Sequence, residues 1–179
     1  MSWQNKYQKA IHFAAEAHGD QKYPGKSYSY VVHLSLVAME VTAAVTNALA
    51  RGESLDADLA VQCAILHDTL EDTGIEYSKI EEIFGKKVAD GVQALSKDKS
   101  LDRQERMADS LKRIKKQPRE VWMVKMADRI TNLQPPPTHW TAEKIAEYKK
   151  EALQIYREFR AADEFLARRL HDKIESYGR

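Results

Sequence analysis

Residues 63–74 read CAILHDTLEDTG, an apolar lead-in of Cys63-Ala64-Ile65-Leu66 followed by His67, Asp68, Glu71 and Asp72. An imidazole and three acids at the inner end of a helix are costly to bury without partners, and one bound cation would satisfy all of them. On a helix, side chains four apart stack about 5–6 Å apart at Cβ, which pairs His67 with Glu71 and Asp68 with Asp72. An adjacent His-Asp can ligate one divalent ion through nitrogen and oxygen. The two acids a turn later could then hold or deprotonate a metal-bound water.

The dipeptide alone is weak evidence, because His171-Asp172 repeats it. That second pair lies among Arg168, Arg169 and Lys173 and reads as a solvated face. The first follows an apolar run and is followed by two acids that meet the helix dipole unfavourably, which an exposed helix end would not select. Further ligands must come from elsewhere. His33 leads, near the start of an apolar helix with Val31, Val32, Leu34, Leu36 and Val37; taken alone it would equally be a core histidine bonded to a carbonyl. Asp128 in VWMVKMADRITNL is the second candidate, with an ion pair to Lys125 or Arg129 as its ordinary alternative. His12, His18 and His139 have weaker claims, and His18 ends a helix where a cationic side chain is favoured anyway.

The elements that must position these groups are helical nearly throughout. Residues 3–18 carry Tyr7, Ala10, Ile11, Ala14 and Ala15 on one face. Residues 22–30, with Pro24, Gly25 and three tyrosines, read as a loop. A long apolar helix spans 31–50, and Asp56 caps a helix running to Asp72. Ser78 to Glu81 has the pattern of a capping box, opening a short helix that stops at Gly85. Helices follow over 86–96, from Asp102 to Pro118, and over 119–133. Pro135-Pro136-Pro137 then forms a stiff turn. Thr141 starts a final helical region to about 177, broken near Ala161-Ala162. The expected fold is an all-α multi-helix bundle in a single domain over 1–179, with the motifs in about 5–160 and a helical tail at 161–179.

A chain of 179 residues, 43% hydrophobic and 31% charged, is an ordinary globular composition. A net charge of +1 argues neither for nor against an anionic partner, and no nucleic-acid or membrane partner is expected. Cys63 is the only cysteine, so no internal disulfide forms, and its apolar context predicts a buried thiol. No leader pattern or run near the roughly 20 apolar residues of a membrane span is expected, and the expected location is cytoplasmic.

Taken in order, His33, His67-Asp68 and Asp128 resemble the H…HD…D pattern of HD-domain phosphohydrolases. FAAEAHGDQ, YVVHLSLVA, AILHDTLEDT, FGKKVADGVQALSKDKSL and VKMADRITNL narrow this to the hydrolase domain of RelA/SpoT homologues, of the small metazoan SpoT-homologue type. The resemblance covers roughly residues 5–160. It implies an HD-type helical bundle holding one divalent ion, typically Mn²⁺ although another divalent transition metal is possible, that removes the 3′-pyrophosphate from (p)ppGpp. It also implies His33, His67, Asp68 and Asp128 as ligands, Glu71 and Asp72 as the pair that activates water, and Asn132 as a nucleotide contact. The mixed nitrogen–oxygen set independently suits Mn(II), Fe(II) or Zn(II) better than Ca(II). Lys22, Lys97, Lys99, Arg103 and Arg106 are, as a group, candidates to meet the phosphates; for any single one a solvated charge is the preferred reading.

Three departures bear on substrate. Tyr23 stands where the family commonly has an arginine that packs on guanine, although a tyrosine can still stack on a base. The family's Pro-Tyr and His-Pro read Ser29-Tyr30 and His33-Leu34, and Gln134 with the prolines replaces an arginine after ADRxxNL. Two other readings therefore stand beside alarmone hydrolysis. One is a phosphatase or pyrophosphohydrolase for another nucleotide, such as NADPH or a nucleoside phosphate. The other is a helical nucleotide sensor that binds without catalysis.

Overall fold

A computed structural model describes residues 3–178, apart from the side chains of 3, 103 and 104. Ten helices follow in order among the described residues: α1 Trp3–His18, α2 Val31–Ala50, α3 Ala57–Leu66, α4 Thr69–Asp72, α5 Tyr77–Phe84, α6 Lys86–Leu95, α7 Arg103–Ile114, α8 Arg119–Asn132, α9 Ala142–Phe159 and α10 Glu164–Ser176. The β-pairing described is one isolated antiparallel bridge between Lys22 and Ser29. The expected all-α bundle is what forms.

Helix α3 is the axle, touching α1, α2, α6 and α8. Every residue from Leu59 to Leu66 is buried, as a helix apolar on all sides demands. Its start is set locally, because the Asp56 side chain accepts the Leu59 N–H at 3.0 Å, while Glu120 of α8 accepts the Asp56 N–H at 2.8 Å. Around it, α2 contributes Leu34, Val37 and Val41 with no exposed surface. Each such side chain stabilises by about 1.5–3 kcal/mol before chain entropy is charged against it. Helix α6 approaches closely because Gly91 lacks a Cβ: a methyl there would meet Cys63 Sγ at 2.7 Å and Val121 Cγ2 at 3.1 Å. Cys63 is the buried thiol its context predicts, and burial pushes its pKa up.

The structure corrects three local expectations. The 56–72 helix is interrupted at His67-Asp68, so α3 ends at Leu66 and α4 starts at Thr69. Asp68 sits at φ −98°, ψ −3°, near the edge of the helical region, and Asp72 N–H still reaches Asp68 O at 2.9 Å. The Ser78–Glu81 capping box is absent. Helix α5 starts at Tyr77, behind an extended Glu76 that makes no side-chain cap.

The third correction concerns length. Val31–Ala50 has 20 residues and a mean hydropathy of 1.4, enough by length and composition to cross a membrane. It is so apolar because both faces are: the inner face packs on α1, α3, α8 and α10, while Val32, Leu36, Met39 and Leu49 face outward. Later boundaries follow the sequence. Thr141 accepts the Lys144 N–H at 3.3 Å to cap α9, and Asp163 caps α10 after a break at Arg160–Ala162.

Candidate active site

Four elements deliver the central groups. The first turn of α2 carries His33, the end of α3 leads into His67, Asp68 opens α4, and α8 supplies Asp128. The His33 and His67 Nε2 atoms stand 3.2 Å apart. Asp68 Oδ2 is 2.9 Å from His67 Nε2 and 3.5 Å from His33 Nε2. Asp128 Oδ1 closes the group from α8, at 3.6 Å from His33 Nε2 and 3.9 Å from His67 Nε2.

These atoms fit a divalent cation. Ligands at right angles around an ion with bonds of about 2.0–2.2 Å stand about 3 Å apart, close to the separations among His33, His67 and Asp68. His67 Nδ1–H donates to Ala64 O at 2.8 Å, which leaves the Nε2 lone pair aimed into the cluster. Two imidazole nitrogens facing one another beside two carboxylates call for positive charge between them. The proton affinities say the same. Burial opposes a charged His33, yet hydrogen bonds to Asp128 and Asp68 outweigh it and raise its pKa to about 9. His67 is raised as well, Asp68 overcoming its burial. Burial favours neutral carboxyls, but His67, His33 and Tyr30 hold Asp68 well below the usual range; Lys125 and the histidines do so for Asp128.

Glu71 and Asp72 lie beside this cluster on α4, lining the same cavity of about 130 Å³. Glu71 accepts the Lys97 backbone N–H at 2.8 Å and its ammonium at 3.2 Å, while Lys99 donates to Glu71 O. Partial burial, then repulsion from Asp68 and Glu71, raises the Asp72 pKa. Asp128 is steadied from its own helix, by Asn132 Nδ2 at 2.5 Å on Oδ1 and by buried Lys125 at 3.2 Å on Oδ2.

The remaining sequence candidates fall at different places. Tyr23 lies in the loop before α2, its ring centroid 5.9 Å from that of His33. Lys22 is exposed in the same loop. Lys97 lines the cavity and also a larger neighbouring groove of about 680 Å³. Arg106 lies farther out, donating to Leu101 O at 2.9 Å and Lys99 O at 3.0 Å, so it folds the 97–102 loop that carries Lys97. The Arg103 side chain is outside the described residues. His171 and Asp172 are exposed on α10, as expected of a solvated pair.

Two residues of the loop between α1 and α2, to which the sequence reading gave no role, hold the acids. Tyr30 O–H donates to Asp68 Oδ2 at 2.5 Å, and Gln21 Nε2 reaches Asp72 Oδ2 at 3.4 Å. Their partners lie 38 and 51 residues away, so no local pattern could reveal these contacts.

Comparison with known proteins agrees with this geometry. The HD domain family model matches residues 10–164, and the chain belongs to that family. The guanosine-3′,5′-bis(diphosphate) 3′-pyrophosphohydrolase MESH1 of Danio rerio is 30% identical over 167 residues, covering 90% of this chain and 88% of that protein. The guanosine-3′,5′-bis(diphosphate) 3′-pyrophosphohydrolase of Aquifex aeolicus is 30% identical over 155 residues, 83% of this chain but 20% of that longer protein. A solved structure of a metazoan orthologue of SpoT that hydrolyses ppGpp superposes with a TM-score of 0.82 at 26% identity, covering 97% of this chain and 96% of that one.

Proposed function

We propose that the protein is a metal-dependent hydrolase that removes the 3′-pyrophosphate of (p)ppGpp, releasing GDP or GTP and pyrophosphate. One observation carries the proposal: Glu71 and Asp72 share a cavity with His67, Asp68 and Asp128, the three groups that His33 joins from α2. The relatives supply the substrate class, since full-length matches bear that activity in their names.

His33, His67, Asp68 and Asp128 would hold the ion; the mixed donor set suits Mn²⁺, Fe²⁺ or Zn²⁺, and Mn²⁺ is proposed among them from the family resemblance. When bound, it supplies neutralisation of phosphate oxygens and water activation near neutral pH. Glu71 and Asp72 orient the attacking water, and the raised pKa of Asp72 suits it to take the water's proton. Water oxygen bonds to the phosphorus next to the ribose, that phosphorus–oxygen bond breaks, and the ribose oxygen leaves to gain a proton.

The cavity of about 130 Å³ is smaller than the roughly 300–1,000 Å³ usual for small-molecule sites, which supports a pose with the pyrophosphoryl group inside and the nucleoside outside. The nucleoside therefore extends out of it, past the loop bearing Lys22 and Tyr23 or along the groove shared at Lys97. Arg103 and Arg106 remain candidate phosphate contacts from the sequence, and Asn132 remains a candidate nucleotide contact through its amide.

Tyr23 at the base-recognition position favours a second reading, in which the same site cleaves another nucleotide. The test is Glu71→Gln, which is expected to bind Mn²⁺ as wild type does and to lose ppGpp turnover. Full turnover in that variant would remove the acid pair from the mechanism.

A further inference from the structure

The loop between α1 and α2 folds back on itself, with Tyr30 N–H donating to Gln21 O at 2.9 Å and Lys22 bridging Ser29. This sets Gln21 and Tyr30 side by side, yet their side chains reach different acids. Tyr30 O–H donates to Asp68 Oδ2 at 2.5 Å, and Gln21 Nε2 reaches Asp72 Oδ2 at 3.4 Å. Behind both stands His18, the last residue of α1 and 5% exposed. Its Nδ1 lies 2.7 Å from Gln21 Oε1, and its ring stacks on Tyr30 with centroids 5.1 Å apart and planes at 26°.

The polarity of this chain is set by its ends. Gln21 can donate to a carboxylate only through its amide nitrogen, which turns Oε1 toward His18 and makes His18 Nδ1–H the donor there. The amide is thereby locked in one of its two flips. Tyr30 is fixed in the same way. A carboxylate oxygen only accepts, so at 2.5 Å from Asp68 Oδ2 the Tyr30 hydroxyl is the donor.

We propose that His18, Gln21 and Tyr30 are positioning residues that form one brace with two outputs: Tyr30 orients the metal ligand Asp68, and His18 through Gln21 orients Asp72 of the water-activating pair. The Asp72 output rests on the hydrolase reading above, while the Asp68 output rests on the ligand cluster alone. Outer-shell partners of metal ligands typically change affinity by about 10–100-fold when removed. The Gln21 contact touches no ligand, so its removal changes the chemical step and leaves the metal in place.

The test measures Mn²⁺ affinity by calorimetric titration, and kcat and KM with ppGpp, for Tyr30→Phe, Gln21→Leu and His18→Phe. Tyr30→Phe is expected to weaken Mn²⁺ binding about tenfold or more. Gln21→Leu is expected to keep Mn²⁺ affinity and KM within about twofold while kcat falls about tenfold, the worth of roughly 1.4 kcal/mol. His18→Phe keeps the stack on Tyr30 and is expected to reproduce the Gln21→Leu defect. The double variant should be no worse than either single one, since the two residues act in series. Gln21→Asn provides a milder probe of the same contact if His18→Phe does not fold. Wild-type kcat in Gln21→Leu, or equal loss of Mn²⁺ affinity in Gln21→Leu and Tyr30→Phe, would overturn the two-output brace. If the wild-type protein leaves ppGpp intact, the substrate reading fails, and the contrast in Mn²⁺ affinity between these two variants still decides for or against the brace.

Discussion

Glu71 and Lys97 are joined twice, through the Lys97 backbone N–H at 2.8 Å and through its ammonium at 3.2 Å. The residue that the sequence offers as a phosphate contact is thus also the one that holds Glu71, one of the two acids proposed to orient the water. Both jobs are compatible, because the Lys97 ammonium faces the cavity while its backbone stays fixed at the end of α6.

Lys97→Met leaves the backbone donor and removes the ammonium. A hydrogen bond to a charged group is worth about 1.5–3 kcal/mol, less here because the Lys97 side chain is 46% exposed. Steady-state assays should show kcat reduced about tenfold with Mn²⁺ affinity unchanged. An unaltered kcat would mean that the backbone contact alone suffices to place Glu71.

Metal binding should report on folding. The proposed ligands come from α2, α3, α4 and α8, so an ion held by them would tie four elements together and bind the native state selectively. At a concentration 100 times Kd the gain is about 2.7 kcal/mol, which is roughly 5–10 °C in Tm for a domain of this size. Thermal melts with and without Mn²⁺ check this. His67→Ala should abolish the shift, and a shift retained in that variant would place the ion elsewhere.

Gly91 sets a sharp packing test. Alanine is usually better than glycine in a helix by about 0.8–1.0 kcal/mol, yet its methyl would lie 2.7 Å from Cys63 Sγ. Overpacking costs about 1–3 kcal/mol and should win, so Gly91→Ala lowers the urea midpoint. Cys63→Ala in the same chain opens the space, and the double variant should be more stable than the sum of the two single effects. A raised midpoint for Gly91→Ala alone would contradict the close approach of α6 to α3.

Much of this was legible locally. The apolar period over 31–50, the cap at Asp56, the cap at Thr141 and the break after Phe159 each depend on neighbours within a few residues, and each formed where expected. The interruption at His67-Asp68 was not legible, because residues 57–72 carry no Gly or Pro and the backbone there leaves the helix only slightly. Ser78 to Glu81 has a capping pattern, but Tyr77 bonds Asp90 of α6 and Ile80 is buried, so packing starts the helix two residues earlier. Within the site, residue types and spacing pointed to the ligand cluster and the acid pair. Tyr30, Gln21 and the grip of Lys97 on Glu71 stayed hidden because each pairs residues at least 26 positions apart.

The most direct test of the central claim is product analysis of the purified, Mn²⁺-loaded protein with ppGpp, run beside ATP, GTP and NADPH and against His67→Ala. The account predicts pyrophosphate and GDP from ppGpp, with both lost in His67→Ala. Metal-dependent cleavage of another nucleotide while ppGpp stays intact would contradict it, keeping the site and discarding its proposed substrate.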